Sequence, residues 1–301
     1  MSSSRYVPDR GLWARMGLTM FLLGGLFVVL GAVLVNYFGV LGLIFIGGFL
    51  AVQWFFSDRI ALFSMGGREV TPAEAPQLHA IVDRLCALAD MPKPKVAIAD
   101  SDVPNAFATG RSPQRAVVCA TTGIMRRLDE RELEGVLSHE LSHVAHRDVT
   151  VMTLASFVGV LAGFLTRTAL YSGMFGGRRN NDSGGAPVVL IITLVSIVVY
   201  ALSFLLTRVL SRYRELAADR AGAFLTGQPS ALASALTKIS GEMGRIPTKD
   251  LRRVEPFNAF FFTPAVAPGF SISSLFSTHP PLEKRLEQLA RISTQLNRPS
   301  A

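Results

Sequence analysis

The residues best suited to chemistry are two histidines four positions apart, with a glutamate beside the first, in Ser138-His-Glu-Leu-Ser-His-Val144. On a helix, side chains at i and i+4 share a face, so the imidazoles of His139 and His143 can meet one tetrahedral zinc ion. Glu140 then points toward an open coordination position. There it can act as general base for a zinc-activated water that attacks a peptide carbonyl, and hand the proton to the leaving amine. The chain has only five histidines in 301 residues, so chance occurrence of this spacing is about 1% or less. The competing reading is a surface helix with incidental histidines.

Such a site needs a third protein ligand. A pattern with glycine at position 146 and histidine at position 149 is excluded, because His146 and Val149 stand there. His146 would lie about 10 Å along the helix from His139, too far to share its metal, and reads as a solvated or interfacial residue. Glu215 in Arg214-Glu-Leu-Ala-Ala-Asp-Arg220 is the better candidate. One turn later Asp219 can accept the outer N–H of a ligand histidine and fix its tautomer. The alternative is a charged helix face on which Arg212, Arg214 and Arg220 balance the acids.

The elements that must position these residues are interrupted by apolar sequence. Half of the chain is hydrophobic and 17% is charged, against about 25% in ordinary soluble domains. No Asp, Glu, Lys or Arg occurs between Met16 and Ser57, a run too long for one crossing of about 20 residues. A break at Asn36-Tyr37-Phe38-Gly39 makes two spans, and Val149–Thr166 and Ser183–Thr207 supply two more. A secretory signal is the alternative for the first segment, but the apolar stretch is longer than such a region and no cleavage site follows it. The division expected is an N-terminal tail (1–15), a transmembrane hairpin (16–57), a first catalytic part (58–148), a second hydrophobic hairpin (149–207) and a second catalytic part (208–301).

Arg5, Arg10 and Arg15, opposed by Asp9, place the N-terminus and the catalytic part in the cytoplasm, although Arg167, Arg178 and Arg179 in a later loop argue the other way. Both ligand helices then leave the membrane side by side, with the site near the headgroups. The net charge of +8 accompanies no nucleic-acid-binding pattern, and anionic lipid explains it more simply. Cys86 and Cys119 sit in apolar surroundings without metal spacing and read as buried free thiols.

Between the hairpins, periodicity predicts a helix over Thr71–Ala89 and β-rich runs at Lys95–Ala99 and Arg115–Ala120. Asp129 and Glu132 form a capping-box signature ahead of the histidine helix, and Leu282, Leu286 and Leu289 mark the apolar face of a last helix. The fold class expected is a mainly α membrane protein with about four transmembrane helices and a cytoplasmic α+β zincin-like domain containing a small antiparallel sheet.

In these motifs and their order the chain resembles the HtpX-type membrane zinc endopeptidases, gluzincin relatives of the CAAX-prenyl proteases. The likeness rests on the early hairpin, Asn105-Ala-Phe-Ala108, His139–His143, the second hairpin, Glu215 to Asp219, and Ser277-Thr-His-Pro-Pro281. It implies one zinc ion on His139, His143 and Glu215, with Glu140 as base. It also implies substrate binding along an edge strand at Asn105, Ala106 and Phe107. His279 matches a histidine thought to stabilise the oxyanion, while loop-to-helix capping beside Pro280 and Pro281 accounts for it equally well. Asn258-Ala-Phe260 repeats part of the edge motif without a strand pattern and is set aside, and the 244–278 loop matches nothing placed. The function implied is cleavage of damaged or misassembled membrane proteins at a bacterial inner membrane under stress, with the bilayer and protein substrates as partners and no nucleic acid. Two rivals are a membrane holdase or scaffold with a vestigial zinc site and a transporter, the latter disfavoured by spans without ionisable groups.

Overall fold

The computed structural model describes residues 10–64, 66–110, 112–175, 185–243 and 279–297. In chain order the elements are α1 (Arg10–Phe38), α2 (Val40–Ser64), β1 (Gly67–Glu69), α3 (Pro76–Ala89), β2 (Lys95–Ala99), β3 (Ala106–Thr109), β4 (Val117–Thr121), α4 (Thr122–Arg127), α5 (Glu130–Ala145), α6 (Asp148–Phe175), α7 (Gly185–Thr226), α8 (Pro229–Met243) and α9 (Leu282–Leu296). They form two compact units. One comprises Ala14–Ser57 and Val151–Leu210; the other comprises Met1–Trp13, Asp58–Thr150 and Ser211–Ala301.

The first unit is apolar on both sides. Its interior holds Leu30, Leu34, Ile46, Phe157, Leu161 and Val199, with the ring of Phe157 5.9 Å from those of Phe27 and Phe49. Its exterior exposes Phe21, Val40, Leu41, Ile44 and Leu190. Such a surface suits hydrocarbon, which cannot hydrogen-bond to an open backbone and so admits helices. The chain reverses between α1 and α2 at Gly39, whose φ of 56° lies in the left-handed region open to glycine. Its amide donates to Val35 O at 2.7 Å and closes α1.

Among the described residues three helices are long and apolar enough to cross a membrane, Ala14–Phe38, Thr150–Thr168 and Val189–Thr226, where about four were expected. The fourth segment is the shorter apolar stretch Val40–Val52 within α2.

The second unit is α+β, and its sheet corrects the expected antiparallel arrangement. The order is β1-β2-β4-β3. β2 runs parallel to β4 in the register Ala97↔Cys119, whereas β1–β2 and β3–β4 are antiparallel. β3 folds back on β4 from the far side, so the two β-rich runs become parallel neighbours. α3 starts at Pro76, later than expected, because residues 71–75 form a turn in which Glu74 accepts from the Thr71 amide and hydroxyl. Proline at the first helical position loses no hydrogen bond.

The main core gathers Leu78, Val82 and Leu85 of α3, Leu133, Val136, Leu137 and Leu141 of α5, Leu232 and Leu236 of α8, and Leu289 and Ile292 of α9. Both cysteines are buried and free. Burial pushes the Cys86 thiol up to about 11 and that of Cys119 up to about 12.

Candidate metal centre

α5 carries the histidine motif through the core, and its start is fixed in both directions. The Asp129 carboxylate accepts from the Glu132 amide at 2.9 Å, and the Glu132 carboxylate accepts from the Asp129 amide at 3.0 Å. Glu132 also binds Ser234 and Lys238 of α8, so the cap anchors the helix as well as starting it. α7 crosses α5 closely at Gly222, where an added Cβ would meet Ser138 Oγ at 2.8 Å and His139 N at 3.0 Å. That approach brings Glu215 and Asp219 to the histidines.

The Nε2 atoms of His139 and His143 are 3.2 Å apart. Glu215 Oε2 lies 3.7 Å from the first and Oε1 lies 3.5 Å from the second. Donors about 2.1 Å from a tetrahedral ion are separated by about 3.4 Å, so these three could hold a metal and leave a fourth position open. His139 Nδ1 donates to Asp219 Oδ1 at 2.9 Å, and His143 Nδ1 donates to Asp148 Oδ2 at 2.7 Å. Each ring is thereby fixed in the tautomer that leaves Nε2 unprotonated and facing the position a cation would take.

Both backing carboxylates are held by arginines. Asp219 takes Nε and an Nη of Arg285, each at 2.7 Å, and Asp148 pairs with Arg214. Glu140, Asp148, Glu215 and Asp219 are all buried. With Asp148, Glu215 and Asp219 buried against two guanidiniums, the site carries excess negative charge that a bound cation would balance.

Glu140 is buried beside His139, and its Oε2 accepts from the Ala108 amide at 3.0 Å. Burial pushes its carboxyl up to about 7, against the lowering effects of His143 and the Ala108 amide. Burial opposes charge on both histidines. It prevails at His139, which is lowered, and is outweighed at His143 by the Glu215 carboxylate, so that His143 is raised.

The structure thus brings His139, Glu140, His143, Glu215 and Asp219 together. It adds His279, whose Nδ1 donates to Glu215 Oε2 at 2.9 Å, a contact that neither the oxyanion nor the capping reading anticipates. Asn105, Ala106 and Phe107 lie at or beside edge strand β3. The Phe107 side chain packs under the sheet with Ala97, Ala99 and Cys119, so only backbone is offered at the edge. Thr121 N donates to Asn105 O, and the antiparallel alternation then turns the amides of Ala106 and Ala108 away from β4. His146 donates to Ser142 O at 2.8 Å and closes the end of α5. Asn258-Ala-Phe260 and the 244–278 loop lie outside the described residues.

Sequence reasoning missed Asp148, Arg214 as its partner, and Arg285. A signal existed for Arg285, which shares the buried face of α9 with Leu289 and Ile292, one position round from the expected face of Leu282, Leu286 and Leu289. An arginine at a core position of an amphipathic helix implies a buried acid.

Apolar helices, a histidine pair and a carboxylate around one cation position, and a buried glutamate next to the first histidine define a membrane metallopeptidase. Residues 72–293 match peptidase family M48, and the chain belongs to that family. It is 58% identical over 295 residues to protease HtpX homolog 1 of Streptomyces coelicolor, covering 97% of this chain and 96% of that one. It is 55% identical over 293 residues to a protease HtpX homolog of Moorella thermoacetica, covering 96% of each chain. Against protease HtpX homolog 2 of Methanosarcina acetivorans the identity is 53% over 296 residues, covering 97% of this chain and 99% of that one. The fold is similar to the crystal structure of S. mikatae Ste24p, with a TM-score of 0.51 and 18% identity over 93% of this chain and 66% of that chain. Family membership implies a metal, and the group His139, His143 and Glu215 fits one.

Proposed function

We propose that this membrane metallopeptidase is a zinc endopeptidase that cleaves misfolded or damaged membrane proteins, with its catalytic unit facing the bacterial cytoplasm. The observation that carries the reading is the convergence of two Nε2 atoms and one carboxylate at 3.2 to 3.7 Å, with both Nδ1 atoms committed to carboxylates. Nitrogen and oxygen donors in threes, with an open fourth position, are the pattern of catalytic zinc. Bound zinc would supply a Lewis acid that acidifies water and polarises the scissile carbonyl.

His139, His143 and Glu215 would hold the ion, Asp219 would fix the His139 ring, and the His279 ring would fix the Glu215 carboxylate. Glu140 would take the proton from the attacking water and pass it to the leaving nitrogen. Its carboxyl, pushed up by burial to about 7, lies close to neutral pH and so suits both taking a proton and returning it. The oxyanion role of His279 would fall to Nε2, since Nδ1 is engaged by Glu215. Among the described residues β3 pairs with β4 alone, so an extended substrate can add to its outer edge through the Ala106 backbone, close to Glu140. The cytoplasmic orientation is supported by Arg5, Arg10 and Arg15 ahead of the first apolar helix.

The test is zinc stoichiometry together with casein-type cleavage by the detergent-solubilised wild type and Glu140→Gln. The variant is expected to keep one zinc per chain and to lose activity by a factor of about 100 or more. Cleavage retained in Glu140→Gln removes the mechanism. Stoichiometric zinc with no cleavage by the wild type favours a scaffold instead.

A further inference from the structure

The junction between α5 and α6 is built in an unusual way for a link between two helices. α5 ends at Ala145, His146 returns its Nδ1–H to Ser142 O, and the Arg147 amide bonds to Val144 O at 3.1 Å. Arg147 then takes φ 56°, a left-handed conformation that costs a non-glycine residue about 1–2 kcal/mol. The next residue is Asp148, the first of α6, and it is buried. An aspartate at a helix start ordinarily faces solvent and the amides of the first turn. This one is turned back, with Oδ2 2.7 Å from His143 Nδ1, while its carboxylate also pairs with the buried Arg214. Arg214 immediately precedes Glu215 on α7, so consecutive residues of one helix reach the cation position and the carboxylate behind His143.

We propose that Asp148 and Arg214 are positioning residues for His143, aimed by the left-handed turn at Arg147, and that this couple determines how tightly the site retains its metal. The inference rests on His143 being a metal ligand. A carboxylate accepting the outer N–H of a ligand histidine fixes the ring and makes Nε2 more basic, and loss of such a partner weakens metal binding by about 10–100-fold. The arginine, paired with that carboxylate from α7, holds it in place. A purely structural ion pair makes a different prediction: replacing both members by apolar residues of similar size restores stability and leaves the metal untouched.

The experiment is chelator competition for zinc on the full-length protein in detergent, comparing wild type with Asp148→Leu/Arg214→Met. Thermal melting of the metal-free forms reports folding. The expected result is a melting temperature close to wild type with zinc affinity reduced about 10–100-fold, and a fall in kcat with KM unchanged once zinc is saturating. Zinc affinity within twofold of wild type in the folded double variant overturns the proposal. If the leucine variant does not fold, Asp148→Asn/Arg214→Met, nearly isosteric and equal in net charge, takes its place. It is expected to bind zinc several-fold more weakly, and unchanged affinity in it overturns the proposal equally. A wild type that takes up no zinc removes the metal reading itself, whereas wild-type zinc with unaltered variants removes only the positioning role.

Discussion

His139 and His143 are each backed by a carboxylate that is held in turn by an arginine, yet the two supports are assembled from different distances. Behind His139, Asp219 stands 80 residues away and Arg285 a further 66, and the group is sealed, with the His139 side chain 1% exposed and Asp219 0%. Behind His143, Asp148 is five residues away in the next turn, and the ring is 15% exposed. The first support exists only when α5, α7 and α9 are packed together. The second is largely local, with Arg214 as its single long-range member. Failure on the His139 side should therefore unfold the catalytic unit, and failure on the His143 side should loosen the metal while the unit stays folded.

The largest effect tests the sealed side. Arg285→Met leaves Asp219 buried without its cation and removes the guanidinium that lies 3.8 Å from Glu215. Breaking a buried pair in this way costs about 3–5 kcal/mol, which denaturant unfolding of the metal-free protein would register. Asp219→Leu/Arg285→Met should recover most of that loss while still binding zinc weakly. Equal losses from Arg285→Met and Arg214→Met, large or small, would erase the contrast between the two supports.

Metal removal gives the next effect. A ligand that binds only the native state at a free concentration about a hundredfold above its Kd stabilises by about 2.7 kcal/mol. Stripping the metal should lower the melting temperature accordingly. In the metal-free protein the two rings should then separate in behaviour: the Nδ1 proton of His139, sealed against Asp219, is expected to exchange with solvent more slowly than that of His143. Nitrogen-resolved NMR of labelled histidines reads this directly, and equal exchange would contradict the asymmetry.

The same difference in distance governs what could be read from the sequence. The spacing of His139 and His143, the Asp129–Glu132 cap and the break at Gly39 are short-range patterns, and all three are present in the structure. The Glu215–Asp219 spacing on one helix was legible for the same reason. Strand order was not, because the neighbour of β2 depends on which side β3 folds, and nothing within either strand records that choice. Arg285 was not singled out, since its partner Asp219 lies in another helix. Asp148 is more instructive, being close in sequence and still missed. Helical periodicity looks to i+3 and i+4, whereas this contact needs the chain to leave the helix at a left-handed residue that is arginine, with no glycine to signal it.

That residue gives the smallest effect, and one that can take either sign. The Arg147 side chain is exposed, so replacing it removes little packing, and the outcome depends on backbone preference. Arg147→Gly relieves a left-handed strain of about 1–2 kcal/mol but adds freedom to the unfolded chain worth about 0.5–1 kcal/mol, so the folded state should be unchanged or slightly more stable. Arg147→Val meets the same φ with a β-branched side chain and should lose stability on the order of 1 kcal/mol. If the turn aims Asp148, the valine variant should also release zinc faster than wild type, while the glycine variant retains it. Thermal melts and chelator-release rates on the three proteins check both parts, and a valine variant equal to wild type in each would mean that the turn is not under strain and does not aim the carboxylate.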